Sequence, residues 1–466
     1  MGQTVVSTQD FHPSLTITAV SGTADETSAI RVRQLRVVHA PRAGRWAMST
    51  VGRSPVEIGR VGQTQSPLAL DDKEVSRLHA VVEPDGAGGF RVVDRGSRNG
   101  TFVNGQKIDS APVEHGSVVR VGKTLLLFLD HAVGGDVATV AESPRLLGRS
   151  EVMRRLRADL AMVAPRNIPV LVLGETGVGK ELVAEELHRQ SGRSGQFVAV
   201  NCAALPEALA ESELFGHVAG AFSGAKVKSE GLFVAANTGT LFLDEVGECP
   251  APIQAKLLRA LAKSEVRAVG ATDSIAVDVR IIAATNRDLS AEIAADSFRS
   301  DLFARLSGWV QRIPPLRERR EDILPLAAMF LARVAPSATI STNAAEALLL
   351  YNWPFNVREL EQVISAAGVR AAAVNRVRCE HLPDAISGVL GARAQVKEPV
   401  VNDSEPHPAM PQVARDAVPA RDDLMAVLAY FGGNVAQVAE YFGKDRKQVY
   451  RWAERYQIDL DQVRKP

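Results

Sequence analysis

The hydrophobic pattern divides the 466-residue chain into stretches of different period. Residues 31–130 contain short runs of β-branched and aromatic residues, separated by Gly, Pro, Asn and Asp, without a long helical period. Many short strands of this kind predict an all-β sandwich. Residues 144–386 alternate apolar runs with helical patterns, and the pattern becomes purely helical near residue 320. This alternation predicts an α/β domain followed by a helical lid.

The remaining stretches predict a tail, two linkers and a small helical domain. Residues 1–30 are rich in Ser and Thr without a sustained period, so we expect a flexible tail. Residues 131–143 and 387–419 have compositions typical of linkers. Residues 420–466 show helical patterns broken at glycines, and Gly443 lies where a helix-turn-helix would turn. The predicted fold class is therefore multidomain: an all-β sandwich, an α/β domain with its lid, and an all-α domain.

Composition narrows the class of protein. Charged residues make up 23% of the chain and hydrophobic residues 46%, which is typical of globular proteins. The net charge is zero, so any contact with nucleic acid must come from a local basic patch. The three cysteines are far apart without metal-binding spacing, which favours reduced thiols in the cytoplasm. No apolar run is long enough to span a bilayer and no signal pattern begins the chain, so we expect no membrane partner.

A glycine-rich loop predicts a nucleotide site. The apolar run Ile168–Leu173 ends in this loop, and a helical pattern starts at its lysine. Strand, loop and helix in this order distinguish a phosphate-binding loop from an ordinary tight turn. Backbone N–H groups and the helix dipole would hold the phosphates, and the lysine would add a point charge. A glutamate replaces the usual Ser or Thr after the lysine. The candidate residues are Gly174, Glu175, Thr176, Gly177, Val178, Gly179, Lys180 and Glu181.

A second apolar run, Leu241–Glu245, ends in two carboxylates and resembles a Walker B motif. Asp244 would hold Mg²⁺ against the phosphates, and Glu245 would polarise the attacking water. Asn201 follows another strand, from which it could hydrogen-bond Glu245 until the carboxylate is needed. Asn286 ends the neighbouring strand and could sense the γ-phosphate. The expected ligands are ATP and Mg²⁺, as in AAA+ ATPases.

Three loops of the predicted sandwich carry side chains suited to a phosphorylated peptide. Arg60 can form a bidentate pair with a phosphate, and Ser76 can donate a hydroxyl hydrogen bond to it. Arg77 and Arg98 add positive charge, and Asn99 can hold a peptide backbone. The order of these loops resembles the forkhead-associated (FHA) domain, in which matching positions bind phosphothreonine and the position of His79 braces the loop. Hairpin turns alone would explain the glycines of these loops, but not the arginine with the serine.

Further motifs narrow the class of ATPase. Phe222 is flanked by small residues in the loop Gly220–Ala225, so it should project from the surface. With ELFGHVAGAF, WPFNVREL and the stretch 298–323, about 240 residues resemble the sigma-54-dependent transcriptional activators. Ser223 replaces the threonine usual in that family, and Phe355 replaces its glycine. The predicted sigma-54 contacts are Gly220, Ala221, Phe222, Ser223, Gly224 and Ala225.

The resemblance implies a ring, a hexamer, with ATP sites between subunits. Arg299 and Arg305 match the family's arginine fingers, and Arg358 matches the sensor arginine of the lid. A surface salt bridge is the alternative for the two finger positions. The family's receiver domain is absent, so the sandwich would take its regulatory place, in a two-component-like arrangement.

The last helical pattern carries a basic face that could lie in a DNA major groove. Its layout resembles the Fis-type DNA-binding domain, and the alternative is a three-helix bundle with a solvated basic face. The candidate DNA contacts are Lys444, Arg446, Lys447 and Arg451.

These patterns together predict a cytoplasmic, DNA-bound ATPase that activates transcription by remodelling sigma-54 RNA polymerase. The expected partners are that polymerase, enhancer DNA, further copies of the chain, and a threonine-phosphorylated protein, either a Ser/Thr kinase or its substrate. One alternative is an AAA+ remodeller of another protein target. The other is a non-enzymatic DNA-binding phosphothreonine adaptor.

Overall fold

The computed structural model describes residues 30–41, 48–62, 68–133, 143, 145–222, 225–393, 419–431, 435–456 and 458. The predicted tail, except its last residue, and most of both predicted linkers lie outside this part of the chain. The chain forms two compact units, residues 1–395 and 396–466.

The first unit begins with the predicted β-sandwich. One sheet has the order β2, β1, β11, β10, β7, β8, and the other has the order β4, β3, β5, β6, β9. Leu35, Ile58, Val82 and Phe128 are among the side chains buried between the sheets. The strands are β1 (Ile30–His39), β2 (Met48–Thr50), β3 (Val56–Arg60), β4 (Leu68–Leu70), β5 (Ala80–Pro84), β6 (Phe90–Asp94), β7 (Thr101–Val103), β8 (Gln106–Ile108), β9 (Ser110–Val113), β10 (Val118–Val121) and β11 (Thr124–Val133).

The central domain is built on a parallel sheet of order β13, β14, β17, β12, β18, as the alternating pattern predicted. Alternate residues of each strand enter opposite cores: Val170 and Val172 face α1 and α2, whereas Leu171 packs with α5 and α7. The strands are β12 (Val170–Leu173), β13 (Phe197–Asn201), β14 (Thr240–Asp244), β15 (Glu265–Val266), β16 (Ile275–Ala276), β17 (Arg280–Thr285) and β18 (Trp309–Arg312). The helices are α1 (Glu151–Val163), α2 (Lys180–Ser191), α3 (Glu207–Phe215), α4 (Gly231–Ala235), α5 (Ala251–Lys263), α6 (Leu289–Ala294) and α7 (Ser300–Leu306).

A helical lid follows the parallel sheet. Its elements are α8 (Ile323–Val334), β19 (Thr339–Ile340), α9 (Thr342–Leu350), α10 (Asn356–Arg370), β20 (Arg376–Val377) and α11 (Asp384–Ser387). A 3₁₀ turn, Gly388–Arg393, extends into the stretch predicted as a linker from residue 387, because Leu390 is buried in the lid core. Similarly, β11 extends past residue 130 to Val133, because it pairs with the full length of β1.

The second unit is all-α, with α12 (Arg421–Tyr430), α13 (Val435–Tyr441) and α14 (Arg446–Arg455). Leu424, Val438, Phe442 and Trp452 are among its buried side chains. Gly443 has a φ of 60° and ends the turn after α13, where the sequence predicted it. The observed architecture therefore agrees with the predicted fold class.

The carboxylate of Asp322, at the start of the lid, binds the backbone directly before α1 of the central domain. Asp322 is fully buried and accepts hydrogen bonds from the backbone N–H groups of Arg149 (2.6 Å) and Ser150 (2.9 Å). Its second oxygen accepts from the hydroxyl of Ser150 (2.6 Å), which also caps α1. Because Gly148 passes so close that a Cβ atom would lie 2.7 Å from this oxygen, the chain has no room for a larger residue there.

We predict that Asp322→Ala destabilises the first unit by about 3 kcal/mol, because it leaves buried donors without an acceptor. Calorimetric unfolding of the full chain should show a lower melting temperature for that unit. Glu361→Ala is the matched control, since it removes a carboxylate from an exposed ion pair with Arg333. Equal melting temperatures for the two variants would contradict this role of Asp322.

Candidate functional site

The glycine-rich loop connects β12 to α2 and presents its lysine to a cleft. Gly177 and Gly179 have φ values of 77° and 106°, which only glycine adopts readily. Lys180 begins α2, and its side chain is 7% exposed. Its ammonium donates to the carbonyl of Gly174 (3.1 Å) and to Oε1 of Glu245 (3.1 Å). The loop therefore holds a positive charge, paired with a carboxylate, at a helix N-terminus.

The two acidic residues after β14 lie beside this lysine. Asp244 is half-buried, and its pKa is raised by burial and by the neighbouring charge of Glu245, while Lys180 opposes the shift. The second oxygen of Glu245 accepts from the backbone N–H of Asn286 (3.2 Å). No group of three or more metal-ligating side chains occurs among the described residues. Two adjacent carboxylates nevertheless fit Mg²⁺, which commonly takes one or two carboxylates together with substrate phosphates.

The two asparagines lie at the cleft with different partners. The side-chain oxygen of Asn201 accepts from the backbone N–H of Ala203 (2.9 Å) and caps a 3₁₀ turn. The structure thus places Glu245 against Lys180 and Asn286, rather than in the hydrogen bond with Asn201 that the sequence suggested. The amide of Asn286 donates to the hydroxyl of Thr176 (3.0 Å), which joins β17 to the glycine-rich loop.

The loop, the carboxylates and the lid enclose a cleft of about 590 Å³. Arg358 lines this cleft from α10, and α8 contributes Phe330 and Arg333. Arg299 and Arg305 are exposed and lie outside the residues that line it. Arg299 pairs with Asp301 (2.8 Å) at the surface, as the salt-bridge alternative expected. Within one chain, therefore, the two finger candidates do not reach the nucleotide site.

The loop that contains Phe222 projects from the same domain. The Phe222 side chain is 41% exposed, and its ring lies 5.1 Å from that of His217. The carbonyl of Ala225 accepts from the N–H of Gly220 (2.7 Å), which closes the base of the loop, and the carbonyl of Phe222 accepts from the N–H of Ala225 (3.0 Å). Gly220 and Ala221 precede it in a turn, whereas Ser223 and Gly224 lie outside the described residues.

The sandwich brings its predicted phosphopeptide residues to one end. Ser76 and Arg60 are adjacent, because the N–H of Arg60 donates to the carbonyl of Ser76 (3.1 Å). The hydroxyl of Ser76 accepts from the N–H of Arg98 (3.2 Å), and Arg77 and Asn99 are exposed beside them. These contacts bring the end of β3 together with the two loops that carry Ser76, Arg77, Arg98 and Asn99.

His79 braces these loops from inside the sandwich. Its Nδ1 accepts from the N–H of Ser76 (3.1 Å), and its Nε2 lies 3.3 Å from the carbonyl oxygen of Gly100. Burial lowers the pKa of His79, although the Gly100 carbonyl opposes this shift. A neutral imidazole that accepts at Nδ1 and donates at Nε2 satisfies both contacts, which agrees with the structural role expected for this residue.

The basic residues of the second unit share one exposed surface. Lys444, Arg446, Lys447 and Arg451 are exposed at the start and along one side of α14. Val449 and Trp452 occupy the opposite, buried side. Asp445 caps the helix by accepting from the N–H of Gln448 (2.8 Å). The helix and the residue pair that precedes it therefore present these four basic side chains to solvent.

Comparison with known proteins places the chain in a family. Family models match the sigma-54 interaction domain at residues 146–311, the FHA domain at 50–122 and the AAA+ ATPase lid domain at 317–398. The structure of NtrX from Brucella abortus in complex with ADP is 32% identical, covering 67% of this chain and 70% of NtrX, with a TM-score of 0.48. Nitric oxide reductase transcription regulator NorR2 of Cupriavidus necator is 47% identical, covering 66% of this chain and 62% of NorR2. Transcriptional regulatory protein ZraR of Klebsiella oxytoca is 43% identical, covering 66% of this chain and 69% of ZraR. The chain belongs to the sigma-54-dependent transcriptional regulators.

This regulator combines the AAA+ domain of its family with an FHA domain. The match spans less than two thirds of the length of NorR2. Among the described helices of the regulator, none combines the length and apolar character needed to cross a bilayer.

Sequence reasoning missed the residues that attach the regulator's lid to its glycine-rich loop. Asn356 is fully buried, and its amide donates to Oε2 of Glu175 (3.1 Å) and to the carbonyl of Thr176 (3.0 Å). Arg317 forms a bidentate pair with Glu175 (2.8 and 2.5 Å), and this pair lowers the pKa of the carboxyl group. Both residues lie within motifs used to recognise the family, but nothing local in the sequence identified their partner.

The geometry of this cleft predicts different effects for two substitutions. Glu245→Gln should retain ATP binding and lose turnover about a hundredfold or more, because the amide cannot activate water. Lys180→Ala should weaken ATP binding about tenfold or more, because it removes a charge-assisted hydrogen bond. Calorimetric titration with ATP and steady-state hydrolysis distinguish the two. Normal turnover in Glu245→Gln would give this carboxylate another role.

Proposed function

We propose that this regulator hydrolyses ATP to remodel the closed complex of sigma-54 RNA polymerase. The observation that carries the proposal is a single domain with Lys180, Asp244 and Glu245 in one cleft and an exposed Phe222 loop. The membership of the family supports the same target. In this function the C-terminal domain binds enhancer DNA, and the FHA domain receives a threonine-phosphorylated partner in the cytoplasm.

The residues of the cleft divide the work of hydrolysis. Backbone N–H groups of the glycine-rich loop hold the phosphates. The ammonium group of Lys180 leaves Glu245 and pairs with the phosphate oxygens. Asp244 would hold Mg²⁺, which would supply positive charge against the phosphates. Glu245, released from Lys180, orients and activates the attacking water. The ion pair between Lys180 and Glu245 would therefore keep the base inactive until nucleotide arrives.

One chain has neither finger candidate at its own nucleotide cleft, so in this proposal a neighbouring subunit supplies the arginine. Arg299 and Arg305 lie exposed on α7 and its N-terminal boundary, away from their own cleft. In a hexameric ring they would reach the γ-phosphate at a neighbouring subunit, as arginine fingers do. Arg299 would then exchange its surface partner Asp301 for the phosphate.

The regulatory part of the proposal is based on the loop cluster of the sandwich, the group formed by Arg60, Ser76, Arg77, Arg98 and Asn99. Arg60 and Ser76 lie together with Arg98 nearby, an arrangement that offers charge-assisted hydrogen bonds to a phosphate. The partner would be a Ser/Thr kinase or its substrate. For the C-terminal domain, the exposed basic face of α14 supports binding to DNA phosphates.

The exposed phenylalanine distinguishes a sigma-54 activator from a remodeller of another target. Phe222→Ala should keep ATPase activity and DNA binding but lose sigma-54 capture and open-complex formation, because it removes the one large apolar side chain of this loop. Open-complex formation on a sigma-54 promoter, with and without ATP, measures the effect. Met162→Ala is the matched control, since it truncates an exposed apolar side chain on α1. Parental promoter opening by Phe222→Ala would favour a different target.

The loop cluster gives a second, independent prediction. Arg60→Ala and Ser76→Ala should each weaken binding of a phosphothreonine peptide about tenfold or more, because each removes a hydrogen bond to the phosphate. Calorimetric titration with the tightest binder from a phosphothreonine peptide library measures this loss. Arg91→Ala, which removes an exposed arginine paired with Glu83, serves as the control. If both variants bind as tightly as this control, the phosphate is held elsewhere.

A further inference from the structure

Strand β11 is apolar on both faces, although only one face contributes to the core of the sandwich. Leu126 and Phe128 point between the two sheets. Leu125, Leu127 and Leu129 point to the opposite face and are at most 2% exposed. The outer face of an antiparallel sheet is commonly solvated and polar, so this face must be covered by another part of the molecule.

The covering element is the AAA+ lid. The three outward leucines belong to one buried cluster with residues of α8, α9 and α10. Helix α9 lies against β10 and β11. Gly105, in the turn between β7 and β8, also approaches the lid, because a Cβ atom there would lie 3.3 Å from Leu350 and 3.5 Å from Leu390. The sandwich and the lid thus share a hydrophobic core.

Charged contacts fix the orientation of this interface. Arg120 donates to Glu346 (2.8 Å), whose side chain is only 1% exposed. A buried carboxylate of this kind is costly unless it is paired, so the interface depends on the arginine from the sandwich. Two further contacts join the domains at the start of α8: Arg36 with Glu321 (3.3 Å), and Arg320 with the carbonyl of Gly116 (2.8 Å).

The same interface adjoins the phosphopeptide loops. Asn99 donates to the carbonyl of Glu74 (2.7 Å), and Glu74 pairs with Lys123 (2.9 Å) in the turn between β10 and β11. Buried Asp72 accepts from the N–H of Lys123 (2.7 Å), which fixes this turn. The carbonyl of Lys123 in turn accepts from the hydroxyl of Thr342 (3.1 Å), at the start of lid helix α9. Hydrogen bonds therefore connect the loop cluster to the lid.

The other side of the lid forms part of the nucleotide cleft. Phe330, Arg333 and Arg358 line that cleft. The carbonyl of Gly177 accepts from the N–H groups of Val357 (3.0 Å) and Arg358 (3.3 Å). Any change in the glycine-rich loop on nucleotide binding would therefore act on an element that also carries the sandwich.

We propose that the FHA domain docks on the AAA+ lid through the outer face of β10 and β11 and moves with the lid as one body. Phosphothreonine peptide and nucleotide then alter each other's affinity. This inference rests on the proposed function of the FHA loops. By linkage, the factor by which the peptide changes ADP affinity must equal the factor by which ADP changes peptide affinity. Allosteric couplings are typically about 5–150-fold, so we expect at least fivefold.

The coupling is tested with the full chain by titrating ADP with and without the tightest-binding library phosphopeptide. Leu127→Asp should leave each ligand able to bind alone but reduce the coupling factor to below twofold, because it places a charge in the docking face and leaves the sandwich core intact. Arg91→Ala, on the other sheet, should keep the parental factor. Peptide binding without coupling in the parental chain would overturn the inference, whereas absence of peptide binding would overturn the proposed FHA function.

Docking itself is tested without a peptide. Hydrogen exchange of Leu127→Asp should show faster exchange at the amides of α9 than in the parental chain. Unchanged protection of α9 would overturn the docking. If Leu127→Asp fails to fold, the double variant Arg120→Ala with Glu346→Ala replaces it, because removing both partners leaves no unpaired buried charge. The same increase in exchange is then expected, and unchanged exchange again refutes the interface.

Discussion

The nucleotide cleft depends on how closely the glycine-rich loop approaches the start of α10. A Cβ atom at Gly177 would lie 2.2 Å from the carbonyl oxygen of Phe355, so no other residue fits. The carbonyl of Gly177 meets two N–H groups at the N-terminus of α10, and Asn356 fills the space between loop and lid. The shape of the phosphate-binding loop and the position of the lid therefore depend on each other. A change in the loop on nucleotide binding would therefore act on the lid.

The sequence was most informative where the signal is local. The strand, loop and helix around Lys180 and the carboxylates after β14 lie where their patterns predicted, because hydrophobic period and glycine content act over a few residues. The partners of Asp322, Asn356 and Glu175 were not predictable in this way. Each contact joins residues more than 100 positions apart, and only the folded topology brings them together.

Two details show how conformation and burial refine a sequence prediction. Phe355 replaces a glycine of the family, yet its φ of −108° requires no glycine, and its ring is 58% exposed. The backbone at this position is therefore one that phenylalanine adopts without strain. The run TLLLFL in β11 is the second detail, because continuous apolar character in an antiparallel strand indicates a sheet that is covered on both faces. The two-sided apolar pattern of this strand is therefore itself a sign that the outer face has a partner.

Two ion pairs of the central domain, one in the nucleotide cleft and one at the surface outside it, differ in burial, so different events can break them. Lys180 and Glu245 form a pair that is largely shielded from water, so neither charge can leave without a replacement partner. In the proposed mechanism a phosphate group would provide one for Lys180, and release of Glu245 would then be a consequence of nucleotide binding. The pair of Arg299 and Asp301 is exposed, and water can solvate both charges when it opens. In the proposed ring, Arg299 could therefore leave Asp301 when a neighbouring subunit arrives. In the proposed mechanism, Glu245 would respond to nucleotide and Arg299 would respond to assembly, so hydrolysis would require both events.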